Sequence, residues 1–217
     1  MESAPNTRWP WLTLVIFGLT LAVIFWSESI RPPSPFDLVA EVPSEGTQRD
    51  YDIYYDFFET YSLSKARPLG LLSAWLLHGS WMHWATNAFQ LVAYGGLYER
   101  ARGHAVFAAV FFLAHLSGSI MHLLFGNAGP ALGMSAGTWG LIGALAVDTC
   151  RRGHSRAQLA LRIALVAFAV AMWFESGART QVDWVHLSGL AAGGVLAWAV
   201  SWKRISEAET CAVSDVT

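Results

Sequence analysis

The sequence predicts an all-α polytopic membrane protein with six transmembrane helices, and three observations carry that prediction. Only 14% of the 217 residues are charged while 54% are hydrophobic, against roughly 25% charged in an ordinary soluble domain. The charges are clustered, so that residues 9–26, 68–98, 103–147, 157–174 and 184–202 are free, or nearly free, of Asp, Glu, Lys and Arg. The third run is 45 residues long, enough for two crossings at about 20 residues each. Six spans consume about 120 residues at that length, which excludes a large soluble catalytic domain and confines any chemistry to the membrane part or one loop.

In chain order, the expected spans are residues 9–27, 70–98, 104–125, 134–150, 158–175 and 184–202. They form one domain over 9–202, flanked by a short cytoplasmic N-terminus (1–8) and a cytoplasmic tail (203–217). The first span is longer than the apolar core of a signal peptide, and the Ser-Glu-Ser after it is a poor cleavage site, so it is read as retained. The Gly126-Asn127-Ala128-Gly129-Pro130 run separates the third and fourth spans, because glycine and proline break a helix. Only the first outer loop, about 28–69, is long. It opens with Arg31-Pro32-Pro33-Ser34-Pro35, which is not helical. Its second half places Tyr51, Tyr54, Tyr55, Phe58 and Tyr61 near one helical face and Asp52, Asp56 and Glu59 on another. This reads as a short helix at the outer headgroup level, the alternative being a disordered acidic loop.

Orientation follows the basic residues of the short loops. With the N-terminus inside, Arg8, Arg100, Arg102, Arg151, Arg152, Arg156, Lys203 and Arg204 are cytoplasmic and Arg162 snorkels to that side, against Arg31, Arg49, Lys65, Arg67 and Arg179 outside. Glu99 and Asp148, near inner helix ends, are expected to pair with Arg100, Arg102, Arg151 or Arg152. The net charge of −2 offers no basic patch for nucleic acid. Cys150 and Cys211 form neither a disulfide framework nor a metal signature.

Polar groups inside spans are costly and mark function when partners can be named. His83 lies 17 residues before Arg100, Ser135 lies 16 before Arg151, and His186 lies 17 before Lys203. At 1.5 Å per residue all three stand about 24–26 Å above the inner basic plane, and Asn87 is one turn deeper on the face of His83. A serine beside an imidazole is an activated nucleophile, and neighbouring donors can stabilise an oxyanion. Gly133, Gly137, Gly189 and Gly193 have the small-residue spacing that lets membrane helices approach closely. Trp139, four residues after Ser135, is placed to pack on the imidazole.

Two rival motifs fail for want of context. Gly133-Met-Ser135-Ala-Gly137 matches the G-x-S-x-G elbow, which needs a preceding strand. His78 and His83 have the spacing of a di-iron histidine box, but none of the seven histidines adjoins another, so no metal is expected. His78 is expected near the outer surface, and His115 and His122 to be satisfied by interhelical bonds.

Four ordered elements, His78-Gly-Ser-Trp-Met-His83-Trp-Ala-Thr-Asn87, Tyr98-Glu99-Arg100, Gly133-Met-Ser135-Ala-Gly137 and His186-Leu-Ser-Gly189-Leu-Ala-Ala-Gly193, resemble the rhomboid intramembrane serine proteases over about residues 69–202. The resemblance implies a bacterial-type six-helix core in which Ser135 is the nucleophile and His186 its general base. It also implies that His83, Asn87 and the Ser135 N–H form an oxyanion hole, and that Trp139 supports the histidine. It implies an endopeptidase acting on single-span membrane proteins in the lipid bilayer, without cofactor, in a bacterial cytoplasmic membrane with its site open to the outer side. Oligomeric state is left open. Ala136 stands where the family usually has Gly, and the first outer loop lacks the family's Trp-Arg dipeptide. The alternative is an inactive rhomboid-like protein that binds membrane segments for quality control.

Overall fold

The structure, a computed structural model, describes residues 9–31, 45–126, 129–151, 156, 159–160, 162–164, 166–167 and 182–214. Most of the expected fifth span lies outside these residues. The described elements are helices and helical turns, joined by a single β-bridge between Leu63 and Ala131.

The first helix, α1 (Trp11–Ser29), is apolar almost throughout, consistent with a span. Its N-terminus is closed from a distance. Its end lacks a capping side chain of its own, and the Glu99 carboxylate accepts from Leu12 N–H (2.8 Å), Thr13 N–H (2.8 Å) and the Thr13 hydroxyl (2.6 Å). A carboxylate here satisfies donors that the helix leaves open and complements its positive end. The aromatic and acidic segment of the long first loop forms helix α2 (Glu45–Tyr61), and it contacts α1 through Phe57 on Trp26, with ring centroids 4.5 Å apart.

The expected second span begins later than the charge pattern implied. Residues 68–76 form two short 3-10 turns, Pro68–Leu72 and Ala74–Leu76, and α3 starts only at Trp81. Ser80 sets that start, its hydroxyl accepting the His83 N–H at 3.2 Å, as an N-cap serine does. An uncharged run therefore includes a folded-in loop as well as a helix. The helix continues through α3 (Trp81–Gln90), a π-turn (Leu91–Gly95) and α4 (Gly96–Arg102). Gly103, at φ +85°, ends it.

Helix α5 (His104–Phe125) occupies the expected third span. Helix α6 (Ser135–Arg151) is buried along most of its length. Helix α7 (Val182–Ser214) covers the expected sixth span and continues through residues expected to form a separate tail. Among the described helices α1 and α5 are each long and apolar enough to cross a membrane, while the apolar stretch Trp184–Val200 is shorter. The six-span expectation is thus met only in part by the described residues.

Helix α6 packs chiefly on α7 and α5, and its glycines explain how closely. A Cβ at Gly193 would strike the Gly140 carbonyl, one at Gly189 the Ala136 carbonyl, and one at Gly143 the Leu190 carbonyl. Gly137 faces the other neighbour, where a Cβ would come 2.8 Å from the Phe111 ring. Without a hydrophobic driving force between helices in lipid, such close backbone approach supplies the van der Waals contact that holds them. The core between these helices is built from Tyr94, Phe107, Phe111, Leu141, Ile142 and Leu145, all fully buried.

At the end of the bundle that carries Glu99, Arg102 and Asp148 form a buried ion pair, Nε donating to Oδ2 at 2.7 Å and Nη2 to Oδ1. Asp148 therefore pairs with one of the expected arginines. Glu99 does not: its partners are the start of α1 and His104 Nδ1, 2.5 Å away. Charge spacing reveals cations, whereas the free N–H groups of a distant helix leave no trace in it.

Candidate active site

The site lies at the opposite end of α6, where Ser135 is the first residue of the helix. Its N–H is therefore among the donors without an intrahelical acceptor, at the positive end of the helix dipole. Two backbone contacts hold the approach to this helix. The bridge between Leu63 and Ala131 (2.9 and 2.8 Å) fastens the loop after α2 to the loop after α5, and the Gly133 N–H donates to the Ala74 carbonyl at 2.8 Å.

Ser135 Oγ lies 3.0 Å from His186 Nε2 on α7. The indole of Trp139 stacks on that imidazole, centroids 5.5 Å apart and planes 24° from parallel. His186 Nδ1 is buried and has no hydrogen-bond partner among the described residues. The arrangement is thus a serine and histidine pair held by packing, with no carboxylate on the ring among the described residues.

The third component comes from α3. Gly133 has φ +106°, a left-handed conformation that favours glycine, and it stands before α6 rather than on a helix face as its grouping with the packing glycines implied. A Cβ there would lie 2.8 Å from His83 Cε1, 2.9 Å from His83 Nε2 and 3.6 Å from Asn87 Nδ2. His83 and Asn87 are thereby brought beside the turn that leads into Ser135. Asn87 is 3% exposed and its Nδ2 has no acceptor among the described residues. Gln90, one turn further along α3, is tied to α6 by the Thr138 hydroxyl, which donates to its Oε1 at 2.8 Å.

Other polar residues fall out differently. His78 is buried, its ring edge-on to His83 at 5.1 Å. His115 Nε2 lies 3.4 Å from the Ser119 hydroxyl, with the Leu71 backbone of the 68–76 turns also interacting with the His115 ring, and His122 Nε2 lies 3.1 Å from the Gly129 carbonyl. Both line a small cavity of about 30 Å³ beside Ser135, room for about one water molecule.

Sequence reasoning missed Gly118 on α5. A Cβ at that position would lie 2.5 Å from the Ala136 Cβ and 3.0 Å from Val185 Cγ1. Gly118 supplies the space that the Ala136 methyl fills, so the departure at position 136 is accommodated across the helix pair. The signal that could have found it was an unassigned glycine at mid-helix, a costly residue there unless a close contact needs it.

A helical membrane protein whose half-buried serine and histidine meet at the start of a central helix is the class that this fold and this geometry define. The rhomboid domain family matches residues 65–203, more than half of the chain, and the protein belongs to the rhomboid family. It is similar to RHOMBOID-like protein 1 of Arabidopsis thaliana, 26% identical over 121 residues that cover 55% of this chain. The match spans only 31% of that relative's length.

Proposed function

We propose that this chain is an intramembrane serine endopeptidase that hydrolyses peptide bonds in or near transmembrane segments of other membrane proteins. The observation that carries the reading is the 3.0 Å separation of Ser135 Oγ and His186 Nε2, within the reach required of a nucleophile and its base. The Ser135 hydroxyl donates to Nε2. As Oγ bonds to the scissile carbonyl carbon, the imidazole takes the proton, and the carbonyl oxygen becomes an oxyanion. Donors for that oxygen are the Ser135 N–H and Asn87 Nδ2, with His83 beside them, and such preorganised donors act strongly where water is excluded.

The imidazolium then returns its proton to the departing amine as the C–N bond breaks, leaving an acyl-serine. A water molecule, for which the cavity beside Ser135 has room, attacks that ester while His186 accepts its proton. The imidazolium returns that proton to Ser135 Oγ as the acyl C–O bond breaks, restoring the serine and leaving a new carboxyl terminus. Trp139 keeps the imidazole in the plane that faces Ser135.

The reading includes a six-span domain over 9–202 with both termini cytoplasmic and the site near the outer face, supported by the distribution of basic residues. The alternative of an inactive, segment-binding protein drew its main support from Ala136. Gly118 makes room for that methyl, which weighs against it. The test is labelling of the detergent-solubilised protein with a serine-directed fluorophosphonate, alongside cleavage of a single-span substrate in proteoliposomes. Wild type is expected to label and cleave, and Ser135→Ala to do neither. Equal labelling of the two would remove Ser135 as nucleophile.

A further inference from the structure

A groove of about 540 Å³ opens on the outside of the helix bundle, between the 3-10 turns at 68–76 and the face of α5. Its walls are apolar: Leu69 and Leu72 project from the turns, Trp75 closes one side, and Phe112, Leu113 and Leu116 come from α5. Leu69 and Leu72 are 81% and 78% exposed, so among the described residues little covers these leucines. In a membrane protein such a surface meets hydrocarbon. The volume falls within the roughly 300–1,000 Å³ of sites that hold one small ligand.

The chain leading into the groove carries two basic residues, Lys65 and Arg67. The chain enters it through a tight turn, Arg67 N–H donating to the Ser64 carbonyl at 3.0 Å, with Lys65 exposed in the turn and Pro68 the first wall residue after it. Arg67 is held in place by Glu59 Oε1 at 3.0 Å and Thr60 Oγ1 at 3.3 Å. Glu59 offsets part of its charge and leaves Lys65 as the more open cation. An apolar trough with two cations in the turn just before its first wall residue matches an acyl chain joined to a phosphate.

We propose that this groove is a binding site for one membrane phospholipid, with an acyl chain along Leu69, Leu72 and Leu116 and its phosphate at Lys65 and Arg67. Lipid tails are as apolar as leucine, so moving a chain from the bilayer into the groove gains packing but little hydrophobic transfer energy. The phosphate contact then carries much of the preference, at about 1 kcal/mol per cation near a membrane surface, or about fivefold in affinity for each. The inference does not rest on the protease reading. It bears on that site by position, since His115 lines both this groove and the small cavity beside Ser135.

The test is native mass spectrometry of the full chain, delipidated in detergent and titrated with palmitoyl-oleoyl phosphatidylglycerol. In parallel, palmitoyl-oleoyl glycerol offers the same chains without phosphate. Wild type is expected to retain one phosphatidylglycerol about tenfold more tightly than the diacylglycerol. Lys65→Gln is expected to weaken that lipid about fivefold and leave the diacylglycerol unchanged. Leu116→Trp, which fills the groove from an exposed position on α5, is expected to weaken both, with Leu69→Trp as a second filling variant should the first not fold. Unchanged phosphatidylglycerol retention in a folded groove-filling variant overturns the site. Equal retention of the two lipids by wild type, or preferential occupation by a copurifying peptide, overturns the assignment of a phospholipid.

Discussion

The two ends of the α6 bundle treat buried polar groups differently. At the Glu99 end the carboxylates are met: one accepts three hydrogen bonds from α1 and lies against His104, and Arg102 meets Asp148 at two points, while Arg162 Nη1, near that pair, is buried without a hydrogen-bond partner among the described residues. At the Ser135 end, Asn87 Nδ2, His186 Nδ1 and His78 Nε2 are buried without partners among the described residues. Each such group costs about 1–3 kcal/mol when left unmade. An end whose carboxylates are paired with cations and helix N–H groups serves the fold. An end that keeps donors open is arranged for something that arrives, and in the proposed reaction the arriving group is a developing oxyanion.

The sharpest way to break this comparison is to exchange what each end loses on mutation. Ser135→Ala and His186→Ala are expected to abolish cleavage of a single-span substrate while leaving the unfolding midpoint in denaturing detergent close to wild type. Asp148→Ala is expected to do the reverse, costing about 3–5 kcal/mol of stability by stranding the buried Arg102 charge, with turnover per folded molecule retained. Loss of stability in the serine variant equal to that in the aspartate variant would erase the distinction. Between these lies Asn87→Ala, for which a fall in kcat of about 10²–10³ is expected if its amide meets the oxyanion. Removing a donor that has no acceptor in the resting protein should hardly move the unfolding midpoint, so unchanged kcat would leave Asn87 with no role.

How much of this was legible in the sequence depends on whether a feature is local. The bounds of α5 could be read directly because Gly103 and the Gly126 break frame an apolar run. Counting residues from Arg100, Arg151 and Lys203 placed His83, Ser135 and His186 at one depth, and in the structure Ser135 and His186 are hydrogen-bond neighbours with His83 close to Gly133. The start of α3 was not legible, because residues 68–80 are as poor in charge as a helix in lipid yet form 3-10 turns and a serine cap. Nor was the partner of Glu99, a helix N-terminus 86 residues away in sequence. Depth along a helix follows from residue number, but which face meets which neighbour is settled only by packing.

The contact between Gly118 and Ala136 gives the finest test of that packing at the Ser135 end. Gly118→Ala places a methyl against the Ala136 methyl and Val185, and overpacking of this kind costs about 1–3 kcal/mol. Ala136→Gly alone removes a buried methyl from a helix, a change of about 0.5–1 kcal/mol from backbone freedom. If the two methyls compete for one space, the double variant moves the methyl from α6 to α5 and recovers most of the loss, with a coupling between about 0.5 and 3 kcal/mol. Unfolding midpoints for the four proteins measure that coupling, and turnover measured on the same four shows whether the space also matters to Ser135 next door. Additivity within about 0.3–0.5 kcal/mol, the behaviour of independent sites, would mean that α5 does not house the Ala136 methyl. That methyl would then press on the Ser135 turn itself, and the inactive alternative would regain the support that Gly118 removes.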